Sequence, residues 1–247
     1  MARRLLIGGH SHMVALAGPS SAAKPEVRTL PDDPEVRYLA GPWPRDAWYW
    51  EALRLASRDC VTAILFGGNE HNHFFLFGAA RPFDFVPSRD PDAAVLDDAE
   101  LVPEALIEER YAPTLEALGQ ALAHVTRNRS AASVAVVGTP PPKADEGFLR
   151  EILTAEPDLV TRARDLGHDL AAVPITPYPV RYKLWQLLQD RFGEIAAGAG
   201  CAFLPVPPAT YTAEGGLARE FWGGDASHAN DAYGALMVRH LREALAA

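Results

Sequence analysis

Five short apolar runs set the frame for this chain: "LLIGG" at 5–9, "VRYLA" at 36–40, "VTAILFGG" at 61–68, "SVAVVGT" at 133–139 and "CAFLPV" at 201–206. Runs of this kind, separated by longer helical patterns, predict a parallel sheet covered on both faces. The helical patterns are present. Tyr49, Ala52, Leu53 and Ala56 share a face, entered through "GPWPRD". Leu115, Leu118, Leu122 and Val125 form a second stripe, and Trp185, Leu188, Phe192, Ile195 and Ala199 a third. A last helix from about Ala229 turns Tyr233, Leu236, His240 and Leu241 inward. The expectation is an α/β fold, a three-layer sandwich around a central, mostly parallel five-stranded sheet, with residues 1–247 forming one domain.

Composition removes several function classes. The net charge of -9, with no basic cluster, argues against a nucleic-acid surface. No apolar stretch approaches the roughly 18 residues of a membrane span. "RRLL" at 3–6 has no long apolar core or small-residue cleavage site behind it, so no signal peptide is read. Cys60 and Cys201 are read as reduced structural thiols of a cytoplasmic protein.

Two segments interrupt the alternation. Residues 79–100, "AARPFDFVPSRDPDAAVLDDAE", are too long for an ordinary connection and are read as a lid or a homo-oligomer contact. Residues 139–180, proline-rich at both ends, are read as a second cap over the same edge. The two insertions are bounded at 79–102 and 139–180.

In an open parallel sheet ligands bind beyond the carboxyl ends of the strands. Three polar clusters fall at such ends or at a helix entrance: "GGHSH" after the first run, "GGNEHN" after the third, and "WGGDASHAN" before the last helix. Asp225 and His228, three apart, lie on one side of a helical turn, so the carboxylate can bond one imidazole nitrogen. The other nitrogen is then free to accept a proton from a serine, and Ser11 is the natural donor. Asn69 can offer a side-chain N–H to a developing oxyanion, and the backbone of Ser11 another. Gly41, with Pro42 starting a helix behind it, is placed to offer a third. Such donors are each worth roughly 3–4 kcal/mol of barrier.

The order of Ser11, Gly41, the G-x-N block ending at Asn69, and the D-x-x-H block from Asp225 to His228 resembles the SGNH (GDSL-type) hydrolase superfamily. The resemblance implies a flavodoxin-like α/β fold and a serine esterase working through an acyl-enzyme without cofactor or metal. Ser11 would be the nucleophile, Gly41 and Asn69 oxyanion donors, and His228 the base oriented by Asp225. The sequence departs from the family pattern at His10, where an acidic residue is usual, at His12, where leucine is usual, and at Glu70, where aspartate is frequent. The serine block is similar to those of SGNH domains attached to polysaccharide O-acyltransferases. That turns the expected substrate towards an acylated, above all acetylated, small molecule or glycan, with acyl transfer as the alternative outcome. His12, Glu70, His71 and Trp222 are the expected substrate contacts; Trp43 and Trp48 are weaker ones.

Each residue also has an ordinary reading. Ser11 serves equally as a turn or cap residue, Asp225 as an N-cap, and Asn69 as the end of a strand turn. Arg45 and Asp46 read as a surface ion pair. Two rival functions compete. His10-x-His12 and His71-x-His73, with Glu70 and Asp225, have spacings that suit zinc or iron in a metal-dependent hydrolase. A glycan-binding protein whose catalysis has decayed is the other.

Overall fold

The computed structural model describes residues 4–129 and 133–245, so Arg3 of the N-terminal arginine pair lies outside the described residues. In chain order the elements are β1 (Arg4–Gly9), α1 (Met13–Ala17), β2 (Glu26–Leu30), β3 (Asp33–Ala40), α2 (Ala47–Ala56), β4 (Cys60–Leu65) and α3 (Glu70–Phe75). Then come β5 (Phe83–Asp84), β6 (Glu100–Leu101), α4 (Glu104–Thr126), β7 (Ser133–Val137), α5 (Glu146–Leu153), α6 (Pro157–Asp165), α7 (Tyr178–Gly198), β8 (Ala202–Leu204) and α8 (Asp231–Leu245).

The main sheet has six strands in the order β2-β3-β1-β4-β7-β8, and β5 pairs only with β6. The five apolar runs are its parallel strands β3, β1, β4, β7 and β8. Counted among themselves they follow the order 2-1-3-4-5, the flavodoxin-like arrangement. The sixth strand corrects the expected count of five. β2 pairs antiparallel with β3 across the tight turn at Pro31 and Asp32. Of its sequence, "EVRTL", only Leu30 is buried, as suits an edge strand open to solvent.

Alternation along the strands assigns the layers. Leu5 and Ile7 face one core, with Met13 and Leu16 of α1 and Tyr233, Met237 and Leu241 of α8. Leu6 and Ile64 face the opposite core, built from Leu53 of α2, Leu118 and Leu122 of α4, and Leu184, Leu188 and Phe192 of α7. Both faces of β1 and β4 are therefore covered, which is why these strands read as unbroken apolar runs.

The 79–102 segment folds back on α4 and α7. Asp84 is buried in an ion pair with Lys183, whose ammonium also donates to the Phe85 and Ala94 carbonyls at 3.1 Å. Arg89 pairs with Asp190 at 3.1 Å. The 139–180 segment packs beside the loop that carries Asp225. Leu149, Leu153 and Leu159 of α5 and α6 form a small core with Leu76, Ile175 and Ala226. Cys60 and Cys201 are both free thiols. Among the described residues no helix is long and apolar enough to cross a membrane.

Candidate active site

The order of the parallel strands reverses direction between β1 and β4, and the loops leaving these two strands form the crevice in which such sheets bind ligands. Gly9 ends β1 at φ +133°, and a Cβ there would lie 2.0 Å from the Leu65 carbonyl oxygen. Only glycine permits this approach, and it lets the His10 N–H donate to the Leu65 carbonyl at 2.7 Å. The chain then turns at once into α1, leaving Ser11 on the sheet edge. The Ser11 backbone N–H, in the turn that opens α1, finds no acceptor among the described residues.

The C-terminal block is delivered by helix packing. A Cβ on Gly234 would sit 1.6 Å from the Ala15 carbonyl oxygen, so α8 lies directly on α1. Asn230 caps α8 by accepting the Tyr233 N–H at 3.1 Å. The residues before it are not the helical turn expected for Asp225 and His228 but a succession of bends. Asp225 shapes them itself. Its Oδ1 accepts the Ser227 and His228 backbone N–H groups at 2.8 and 2.6 Å.

Three side chains now stand in line. Asp225 Oδ2 lies 2.7 Å from His228 Nδ1, and His228 Nε2 lies 2.7 Å from Ser11 Oγ. Burial opposes charge on Asp225, but the bond to His228, that ring's charge and the two backbone N–H groups hold its carboxyl well below the ordinary range. An ionised Asp225 draws an imidazole proton to Nδ1, which leaves Nε2 free to act as the acceptor facing Ser11. A cavity of about 230 Å³ opens at this line, bordered by Ser11, His12, Val14, Pro140, His228 and Asp231.

Asn69 belongs to the same edge. The Gly67 N–H donates to His10 Nδ1 at 3.0 Å, stitching the loop after β4 to the residue before Ser11. Ser227 Oγ donates to Asn69 Oδ1 in a short hydrogen bond. That bond occupies the acceptor of the amide and leaves its Nδ2 donor uncommitted among the described residues. Ser227 was not singled out in the sequence, although its position inside the D-x-x-H block marks it as a neighbour of the relay.

Other expected contacts fall elsewhere. The Gly41 N–H donates to the Ser20 carbonyl at 2.9 Å, and a Cβ there would press on Tyr49 at 2.8 Å. Gly41 is a packing glycine whose donor is already spent, and α2 starts at Ala47 behind an Asp46 cap rather than at Pro42. Of the four expected substrate contacts only His12 borders the cavity. Glu70 instead braces the glycine loop, accepting the Gly68 N–H at 2.7 Å and the Thr114 hydroxyl at 3.1 Å, and burial raises its pKa. His71 is buried within α3, where burial, then Arg181, lowers its pKa to about 3. Trp222 donates to the Leu217 carbonyl at 2.7 Å and packs on Phe148 and Arg219.

The paired histidines do not converge. His10 turns towards Trp43, Trp50 and Phe66, whereas the His12 ring lies 5.0 Å from that of His228. Among the described residues no group of three or more His, Cys, Asp or Glu is placed to hold a metal ion. Nor are Arg45 and Asp46 an ion pair. The buried Arg45 guanidinium donates to the carbonyls of Gly9, Pro42 and Ser20 and lies under the Trp43 ring at 4.5 Å.

No protein-family model and no curated protein matches this sequence. Solved structures do. The chain is similar to a catalytic mutant of Axe2, an acetylxylan esterase from Geobacillus stearothermophilus, with 10% identity and a TM-score of 0.45, covering 98% of this chain and 93% of that one. It is similar to a Bacteroides fragilis protein provisionally described as an acylhydrolase, with 11% identity and a TM-score of 0.47 over 98% of this chain and 86% of that one. An Agrobacterium tumefaciens protein provisionally described as an arylesterase matches at 14% identity and a TM-score of 0.41, over 98% and 97% of the two chains.

Proposed function

We propose that the chain is a serine ester hydrolase of the SGNH (GDSL-type) superfamily, acting on a small acyl ester through an acyl-enzyme. The observation that carries this reading is the unbroken line Asp225–His228–Ser11, with both hydrogen bonds at 2.7 Å. His228 Nε2 takes the Ser11 proton as Oγ attacks the ester carbonyl carbon. The carbonyl oxygen gains charge as its π bond opens, and the Ser11 N–H and Asn69 Nδ2 are the donors on hand to receive it. His228 then returns the proton to the departing alcohol. Water, deprotonated by the same ring, attacks the acyl-enzyme and releases the acid and free Ser11.

The small cavity beside Ser11 suits an acetyl-sized group better than a long acyl chain. For the alcohol portion, a second cleft of about 390 Å³ is lined by His10, the residue before Ser11, with Trp43, Arg45, Asp46, Trp50 and Phe66. Trp43 is 49% exposed, and its indole is held by the Arg45 guanidinium. A fixed, half-exposed ring bordered by polar and charged side chains suits the C–H face of a sugar, so we take an acetylated carbohydrate as the substrate class.

The test is Ser11→Ala. Turnover of p-nitrophenyl acetate should fall below about one-thousandth of the original in a protein that still folds. A fluorophosphonate should label the original chain at Ser11 and leave the variant unmodified. Undiminished turnover by Ser11→Ala would remove the serine mechanism altogether.

A further inference from the structure

Lys143 is only 1% exposed, yet among the described residues the hydrogen bonds of its ammonium go to backbone carbonyls and not to a carboxylate. A buried cation without a contacting anion is costly, so its remaining partners must hold it. Its Nζ donates to the Gly223 carbonyl at 2.8 Å and to the Asp225 carbonyl in a short bond, and it faces the rings of Phe148 and Trp222 at 5.3 and 5.8 Å. Both carbonyls belong to the loop that carries the relay. Lys143 is held in turn by Arg181, whose guanidinium donates to the Lys143 carbonyl at 2.8 Å.

The rest of that loop is equally committed. The Gly223 N–H donates to the His228 carbonyl at 2.9 Å. The Ala226 N–H donates to Glu156 at 2.6 Å, and the Ala226 carbonyl accepts Asn72 Nδ2 at 3.2 Å. Asp225 takes up the two N–H groups that follow. Of these restraints, those from Lys143 bind at both ends of the Gly223–Asp225 turn.

We propose that Lys143 is a positioning residue of the hydrolase: its ammonium clamps the Gly223–Asp225 turn and thereby aims Asp225 at His228 and His228 at Ser11. The inference rests on the ester-hydrolase reading above.

The clamp depends on pH. Asp225 and Glu156 favour the ammonium and Arg219, itself paired with Asp145, opposes it, but burial dominates and lowers the Lys143 pKa to about 8. Charge-assisted hydrogen bonds are roughly twice as strong as neutral ones, so the clamp slackens as pH rises through that value. Global stability moves the other way. Between about 8 and 10.5 the unfolded chain holds this proton and the folded chain does not, so Lys143 makes folding more favourable as pH rises there.

The experiment compares the original chain with Lys143→Met on p-nitrophenyl acetate from pH 6.5 to 10, with circular dichroism and thermal melts at each pH. Expected are a kcat reduced by roughly 10- to 100-fold in the variant at pH 7, as for a misplaced catalytic group, with KM little changed. The original chain should lose kcat as pH passes through about 8 without a matching loss of melting temperature, and the variant should lack that step. Equal kcat in the two proteins at pH 7, or the same alkaline step in both, would overturn the proposal. Should Lys143→Met fail to fold, a flat kcat from pH 7 to 10 in the original chain would overturn it as well. Ser11→Ala separates the two claims: if that variant is inactive while Lys143→Met is unimpaired, the hydrolase reading stands and the clamp falls.

Discussion

Asparagine at position 225 separates the two tasks of one carboxylate. Oδ1 of Asp225 organises the turn by accepting two backbone N–H groups, while Oδ2 holds the His228 ring at 2.7 Å. In Asp225→Asn the amide oxygen can replace Oδ1, so the turn survives. The amide nitrogen then replaces Oδ2 and presents a donor to His228 Nδ1. The ring must answer with a lone pair, which moves its proton to Nε2, facing Ser11. A ring in that tautomer cannot accept the serine proton. The reversed tautomer lowers kcat by about 10⁴-fold in triads of this logic, about 5.5 kcal/mol of barrier. The stability cost is much smaller. The Asp225 side chain is 36% exposed, so solvent screens the lost charge, and a drop in melting temperature of about 2–4 °C is expected. Initial rates on p-nitrophenyl acetate and a thermal melt, both at pH 7, check the two halves. An Asp225→Asn protein keeping more than about one-tenth of kcat would show that the Asp225–His228 bond does not set the tautomer.

Two further outcomes follow from burial and close approach. Gly234→Ala normally favours a helix by about 0.5–1 kcal/mol, yet here the new methyl meets the Ala15 carbonyl at 1.6 Å. A loss of about 1–3 kcal/mol or more in urea unfolding is expected, with activity falling as α8 is pushed from α1, and a gain in stability would refute this packing. In acid, burial, with Arg45 beside His10 and Arg181 beside His71, holds His10 to a pKa of about 4 and His71 to about 3, while the unfolded chain takes up these protons near 6.5. Unfolding free energy should therefore fall as pH drops from about 6.5 to 4, by about 1.4 kcal/mol per pH unit for each ring. His71→Leu should lose one ring's share of that slope, and an unchanged slope would contradict the buried neutral state.

The sheet and the relay were legible in the sequence for one shared reason: both depend on local chemistry. Strands covered on two faces must be apolar throughout, and Ser11, Asn69, Asp225 and His228 sit directly beside strand ends or a helix start. What the sequence hid depends on distant partners. Strand β2 is polar and mostly exposed, and nothing in "EVRTLPDD" distinguishes a hairpin from a loop until β3 is placed beside it. Gly41 looks like a free donor because its acceptor, the Ser20 carbonyl, lies twenty-one residues earlier. Glu70 and His71 flank the reactive loop in sequence, but entry into α3 turns both side chains inward. Lys143 had no signal at all, since a single lysine in "PPPKADEG" reads as solvated until the Gly223 and Asp225 carbonyls close over it.

The histidine at position 12, unusual beside such a serine, fits the same electrostatic logic. Its ring lies 5.0 Å from that of His228, and a charge there would repel the imidazolium formed during proton transfer. Burial, reinforced by His228 and His71, pushes the His12 pKa well below the ordinary histidine value, and its two ring nitrogens find no hydrogen-bonding partner among the described residues. Burial therefore favours the neutral form of His12 beside His228. In the proposed mechanism, as His228 gains the Ser11 proton, the Asp225 carboxylate lies on one side of it and the His12 ring on the other contributes bulk with its charged form disfavoured. A buried histidine can occupy a position suited to an apolar side chain because burial disfavours its charged form.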